Sequence, residues 1–332
     1  MAYSPAGNLT SSAGLAHLQT IYYKKRALDR LTKKFLFKKA TYSESLPMNS
    51  GRTVQFFRYQ NFSANTTQTA EGTVGTSQSL TSRVVGATVS QYSAYITVSD
   101  FLRDTAIDPI IQQASDLLGY QAGLTVDTIT RNVIDAEYAG CSQTPLSTYL
   151  KVADLRAARH SLQANDVQGM IGDDEFLVVS HPFNTYDLVN DPAANGLADI
   201  FKYTGVKDTA LVQSPDRGMI THVASCQVWE STNVKTVSTG DGTQYTTYIF
   251  GKEGVACIDL AGRGPSEVTD PRKQKFSIRV IRPDANNIAD PEGVIGGAVA
   301  YNFIYTVMIT EGPAGIGGAY RMRQIRALSS IG

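Results

Sequence analysis

The sequence predicts an α+β fold on three observations. One apolar stripe runs at helical spacing through DPIIQQASDLLGYQAGLTVDTITRNVIDAEYAG. From residue 218 onward the chain is mostly strand-like, cut by turn residues. Ahead of the helix, two β-branched and aromatic segments flank a long tip that is almost free of charge. Strands and helices do not alternate as βαβ units, so a doubly wound sheet is not expected.

The elements follow in chain order. Residues 21–40, IYYKKRALDRLTKKFLFKKA, hold eight basic side chains (Lys24, Lys25, Arg26, Arg30, Lys33, Lys34, Lys38 and Lys39) against one acidic, a local net of +7. Ile21, Leu28, Leu31, Phe35 and Leu36 recur at helix-like intervals, which makes this a basic amphipathic segment. Three uses stay open for it: a solvated helix face, docking on a partner subunit, and contact with nucleic acid; a membrane-surface helix has nothing else membrane-like in the chain to support it. Next, GRTVQFFRYQNF and RVVGATVSQYSAYITVSD read as the strands of one hairpin. Its tip, NTTQTAEGTVGTSQSLTS at residues 65–82, has eighteen residues and a single charge, Glu71. Hairpin loops usually run about two to five residues. This one has neither the apolar residues for a core nor the charges of a solvated tail.

The long helix has Asp108 as a cap and Pro109 in its first turn. Ile110, Ala114, Leu117, Leu118, Ala122, Val126, Ile129 and Val133 form its stripe. About thirty residues make a rod of roughly 45 Å. Gly119 and Gly123, one turn apart, weaken it by roughly 1 kcal/mol each relative to alanine. They read either as a tolerated weakness or as room for a bend or a close approach. A second helix follows in TYLKVADLRAARHSLQAN, with Val152, Leu155, Ala158 and Leu162 on one face. EFLVVSHPFNTYDLVND gives a buried strand, a turn at His181-Pro182 and a short helix. The later strands are GMITHVASCQVWESTNV, QYTTYIFGKEGVACIDLA, KFSIRVIRPD and GGAVAYNFIYTVMITE.

Composition narrows the function. Thirty lysines and arginines balance thirty aspartates and glutamates, so no overall field marks a nucleic-acid or membrane binder. Charged residues make up 18%, below the roughly 25% of soluble chains. That shortfall is either ordinary variation or a surface that meets other protein. The start, MAYSPAGNLTSS, has no secretory pattern, and no apolar run is long enough for a membrane span. Three distant cysteines, Cys141, Cys226 and Cys257, fit free thiols in a reducing cytoplasm.

Catalytic patterns are missing. GPAGIGGAYR lacks the spacing of a phosphate loop and reads as a turn near the C-terminus. GDDEF, with Asp173, Asp174 and Glu175, reads as a solvated turn. His17, His160, His181 and His222 lie in different elements, and a pairing of His181 with Cys226 or Asp187 has no motif behind it. The chain reads as a non-enzyme, with no catalytic, cofactor or metal residues.

Five stretches carry a resemblance: EGTVGTSQSLTSRVVGATVSQYSAYITVSD, QQASDLLGYQAGLTVDTITRNVI, KVADLRAARHSLQAN, VVSHPFNTYDLVND and GMITHVASCQVWESTNV. With the order of the elements, they resemble the major capsid proteins of tailed bacteriophages, in the large-podophage (N-four-like) branch. The resemblance implies the Hong Kong 97-type fold: an N-terminal arm at 1–49, an extended loop at 50–100, and a peripheral domain with a spine helix at 101–146. An axial domain at 147–270 and return strands with a tail at 271–332 complete it. It implies an icosahedral shell of hexamers and pentamers around double-stranded DNA. Asn65, Thr69, Glu71, Val74 and Leu80 would lie on the inter-subunit loop. The expected partners are other copies of the chain, a portal, separate scaffolding, decoration proteins and packaged DNA, with no membrane. A cellular encapsulin-like cage is the alternative. Some members of the fold cross-link through a lysine on the loop, and residues 53–100 here contain none.

Overall fold

The fold is a computed structural model, which describes residues 35–106, 110–142, 148–171, 175–191, 219–223, 225–260, 279–281, 295–311 and 320–331. Six of the eight basic arm residues, Lys24 to Lys34, lie outside these, as do Asp108, Pro109, Asp173 and Asp174.

The first sheet runs β1 (Tyr42–Leu46), β10 (Val255–Leu260), β12 (Ile295–Ile309), β11 (Arg279–Ile281), with β4 (Ser90–Ser99) on the other side of β12. Side chains alternate across it, as the strand period requires. Val255, Cys257, Phe303, Tyr305 and Val307 face the long helix α2 (Ile110–Ala136). Ala256, Ile258 and Met308 face the opposite way, onto the hairpin of β2 (Thr53–Tyr59) and β3 (Ser82–Thr88). Helix, sheet and hairpin thus form three layers. The hairpin contributes Val54, Phe56, Val85 and Ala87 to this second contact.

The second sheet runs β13 (Met322–Ala327), β9 (Gly242–Phe250), β5 (Phe176–Ser180), β7 (Cys226–Glu230), β6 (Met219–Val223), with β8 (Thr236–Thr239) on β9. Both of its faces are covered. Leu177, Val179, Tyr248 and Phe250 join the α2 core, while Phe176, Val178, Val228 and Ile249 meet α4 (Val152–Gln163). All five residues of β5 are buried, which is why FLVVS shows no alternation. On α4, Val152, Leu155, Ala158 and Leu162 are the buried face, as the periodicity predicts. His181 caps α5 (Pro182–Val189), its Nδ1 accepting from Phe183 N at 3.2 Å.

Four expectations change. The segment 83–100 is two strands: β3 pairs with β2, and β4 pairs with β12. The inward residues shift from odd (Val85, Ala87, Val89) to even (Tyr92, Ala94, Ile96, Val98) as the chain leaves one layer for the next. On α2, Leu117 is exposed; Ala114, Leu118, Ala122, Val126, Thr130 and Ile134 are buried at every fourth position. Leu117 lies about 100° round the helix from Leu118 and so leaves that line. Two parallel pairs occur, β1 with β10 and β5 with β7, the second with α5 in its connection. Finally, the sheets cut across the sequence segments. β10, within 147–270, belongs to the sheet of the return strand β12, and β13, within 271–332, belongs to the sheet of β5 and β9.

Candidate assembly surface

Beyond Tyr59 and Ser82 the hairpin stops being a ladder. Gln60 N still donates to Thr81 O at 2.9 Å; from there residues 61–80 are exposed throughout. Two small turns shape this tip. Asn65 Oδ1 accepts from Thr67 N at 3.1 Å. Thr73 N donates to Ala70 O at 3.1 Å around Glu71-Gly72, with Gly72 at φ +81. A positive φ at the third residue of such a turn is what glycine supplies. Asn65, Thr69, Glu71, Val74 and Leu80 are all brought onto this one arm, and Val74 is 99% exposed.

The root of the arm is fixed by charge. Arg58 on β2 pairs with Glu311, two residues past the end of β12, and Arg321 Nε meets the same carboxylate at 3.0 Å. Burial, followed by the neighbouring Arg321, lowers the pKa of Arg58. A groove of about 240 Å³ lies beside this cluster, lined by Tyr42, Phe56, Phe57, Arg58 and Glu253 among others.

The described end of the basic segment docks on protein. The Phe37 ring is fully buried, edge-on to Tyr248 at 5.2 Å. The Phe35 ring packs beside Tyr120 at 5.5 Å. A Cβ on Gly123 would come within 2.8 Å of that ring, whereas one on Gly119 would meet nothing among the described residues. Gly123 therefore makes room for the arm. Lys39 Nζ sits 3.9 Å over the ring of Trp229, the only tryptophan. Lys38 is half-buried, and burial lowers its pKa despite nearby Asp259. Phe35–Ala40 is thus seated on the chain's own body, not on a partner subunit; the other basic residues, Lys24 to Lys34, lie outside those described.

Asp127, one turn beyond Gly123, completes this seat and went unnoticed in the sequence. Its carboxylate accepts from Phe37 N at 2.9 Å and from Asn233 Nδ2 at 2.7 Å. Burial pushes it up to about 6, against those hydrogen bonds and the Arg131 guanidinium, which pull it down. Gly119, Gly123 and Asp127 lie four apart on one line of the helix, and that spacing was the available signal.

The residues weighed for catalysis have structural partners. Burial pushes the Cys226 thiol up to about 11, away from a nucleophile's range. The His181 ring stacks on Tyr245 at 4.4 Å, and Asp187 accepts from Ser330 N at 3.1 Å. Among the described residues no group of three His, Cys, Asp or Glu side chains could hold a metal ion, and no described helix is long and apolar enough to cross a membrane.

No protein-family sequence model and no curated protein sequence matches the chain. Solved structures do. The chain is similar to the capsid of Ralstonia phage GP4, with TM-score 0.66 and 12% identity, covering 98% of this chain and 99% of that one. The chain has the Hong Kong 97-type capsid fold. A cyanophage Pam1 capsid chain shares this capsid fold at TM-score 0.66 and 11% identity, over 99% and 100% of the two chains. The head structure of Helicobacter pylori bacteriophage KHP40 does so at 0.65 and 10%, over 98% and 99%. In this capsid fold α2 is the long helix under the first sheet, and the β2–β3 hairpin is the layer that projects from it.

Proposed function

We propose that the chain is the major capsid subunit of a tailed bacteriophage, assembling in many copies into an icosahedral shell around double-stranded DNA. One observation supports this most: the likeness to phage capsid chains covers 98–99% of this chain and 99–100% of those chains. The subunit acts through surfaces, and many modest contacts between copies sum to a stable shell. It is non-enzymatic in this role.

The finer assignments belong to the same reading. Residues 1–49 serve as the arm, 50–100 as the extended loop, and 101–146 as the peripheral domain. The axial domain takes 147–270 apart from β10, and 271–332 apart from β13 returns to the periphery. Asn65, Thr69, Glu71, Val74 and Leu80 meet a neighbouring copy. The basic residues Lys24 to Lys34 offset phosphate charge without reading sequence. Portal, separate scaffolding and decoration proteins complete the particle, which is built in the bacterial host cytoplasm. The large-podophage branch is supported by the five sequence stretches alone. The phage neighbours disfavour an encapsulin-like cage.

Electron microscopy of the purified chain, expressed with its scaffolding partner, tests the reading. Closed icosahedral shells are expected. A chain that stays monomeric at high concentration in that setting overturns it.

A further inference from the structure

Among the described residues the two sheets share no strand. The chain passes from β9 to β10, and so from one sheet to the other, in the four residues 251–254. Helix α2 lies directly on β12 and β4 of the first sheet. Its ties to the second sheet gather at its C-terminal end, where Gln324 Nε2 donates to Ile134 O at 2.6 Å and Arg326 meets Asp135 at 3.2 Å. Farther along the helix, the turn Phe37–Ala40 is interposed between α2 and the second sheet. On one side Phe37 N donates to Asp127 of α2 at 2.9 Å. On the other, the Phe37 ring meets Tyr248 of β9 at 5.2 Å, and Lys39 lies over Trp229 of β7. The same turn continues into the first sheet, where Thr41 Oγ1 donates to Cys257 Sγ at 3.3 Å and β1 pairs with β10.

We infer that the arm root is a wedge that sets the angle between the two sheets, so that the state of the arm is coupled to the shape of the subunit. The inference needs only the fold and stands apart from the capsid role. Two observations carry it. First, Phe37 is fully buried between helix and sheet. Protein interiors are close-packed, so the space of a lost ring is recovered by movement of its walls. Second, the walls are held together at one end only. Asp127 stands about 10 Å along α2 from the ties at Ile134 and Asp135, so closure at the wedge turns the second sheet about those ties. Coupling of this kind is reciprocal. Whatever lifts the arm root changes the angle, and whatever fixes the angle grips the arm root.

The distance between the two bodies tests this in the full-length free subunit. Ser93 on β4 and Ala157 on α4 are exposed, one on the first sheet and one on the helix that covers the second. Cys141, Cys226 and Cys257 are free and buried, so spin labels go to Ser93→Cys and Ala157→Cys. Double electron–electron resonance then reads the separation. With Phe37→Ala added, its maximum should move by about 2 Å or more, the scale of a domain rearrangement. Should that variant fail to fold, Phe37→Leu keeps an apolar side chain at the site and should shift the maximum in the same direction. Ile258→Ala removes a fully buried side chain from the other face of the first sheet and should leave the separation unchanged. A folded Phe37 variant with the wild-type separation overturns the inference, and so does an equal shift in Ile258→Ala. Neither result bears on the capsid reading, which shell formation decides.

Discussion

The second sheet and the extended hairpin are built from similar residues and use them in opposite ways. In β5 and β9, aromatic and β-branched side chains are buried on both faces, between α4 on one side and α2 with the arm root on the other. In β2 and β3, one face is covered and the other is bare. The first arrangement completes the subunit. The second leaves one face of the hairpin exposed on the subunit. Apolar content alone does not separate the two; the number of faces that other elements cover does.

The contrast can be attacked from the closed side first. Leu155→Ala removes a fully buried side chain beneath the second sheet. It should cost about 2–5 kcal/mol, measured by denaturant unfolding of the subunit. A loss below 1 kcal/mol would mean that this core is looser than its burial implies.

The pH dependence of the arm seat comes next. The Asp127 carboxyl is held at about 6 in the fold, above its usual 3.8, so folding favours the protonated form. Its contribution to stability is fully present below about pH 4 and is lost as pH rises to about 6, for a total of about 3 kcal/mol. Relative to Asp127→Asn, wild-type stability should therefore fall across that window and stay level above it. A difference that rises with pH would reverse the assignment.

The two helix glycines separate a seat from a spacer. Gly119→Ala meets open space and should stabilise by up to about 1 kcal/mol. Gly123→Ala forces the Phe35 ring to move and should lose that gain or destabilise, with Trp229 fluorescence reporting the loosened arm. Equal gains at both positions would remove Gly123 from the seat.

The smallest effect sharpens the open side. Val84→Ser on the bare face should change subunit stability by no more than about 0.5 kcal/mol, because the side chain has little to lose there. A larger loss in thermal unfolding would mean that the hairpin's outer face is already covered within the subunit.

Much of this was legible. The stripe on α4 and the strand–turn–helix around His181 came directly from periodicity and caps. The long helix was visible too, though its buried line follows every fourth residue and so excludes Leu117. The break between β3 and β4 was also written in the sequence, as the change from odd to even apolar positions near residue 90. What escaped notice depends on distant partners. β13, MRQIRA, looks too polar for a mostly buried strand, yet Arg326 meets Asp135 at 3.2 Å and Gln324 Nε2 donates to Ile134 O at 2.6 Å. Asp127 likewise looks like an ordinary helix acid until Phe37 and Asn233 are brought to it. The tip was legible as nearly uncharged, with Glu71 alone, since composition reports what a segment lacks. That Arg58 and Arg83 lie opposite each other on the hairpin's inner face became visible only once the register was known.

The pairing of β1 with β10 has a temporal consequence. Ser45 and Asp259, bonded side by side, are 214 residues apart in the chain. At ribosomal rates of roughly 5–20 residues per second, β1 waits roughly 10–40 s for its partner strand to be synthesised. The hairpin waits with it, because its inner face rests on Ala256, Ile258 and Met308. Each newborn subunit therefore spends that interval with both faces of the hairpin uncovered. Contacts so far apart also make folding slow. The moment of greatest exposure to wrong partners thus precedes the moment at which the right surface is complete, and only late closure of the first sheet turns a sticky ribbon into a subunit with one open side.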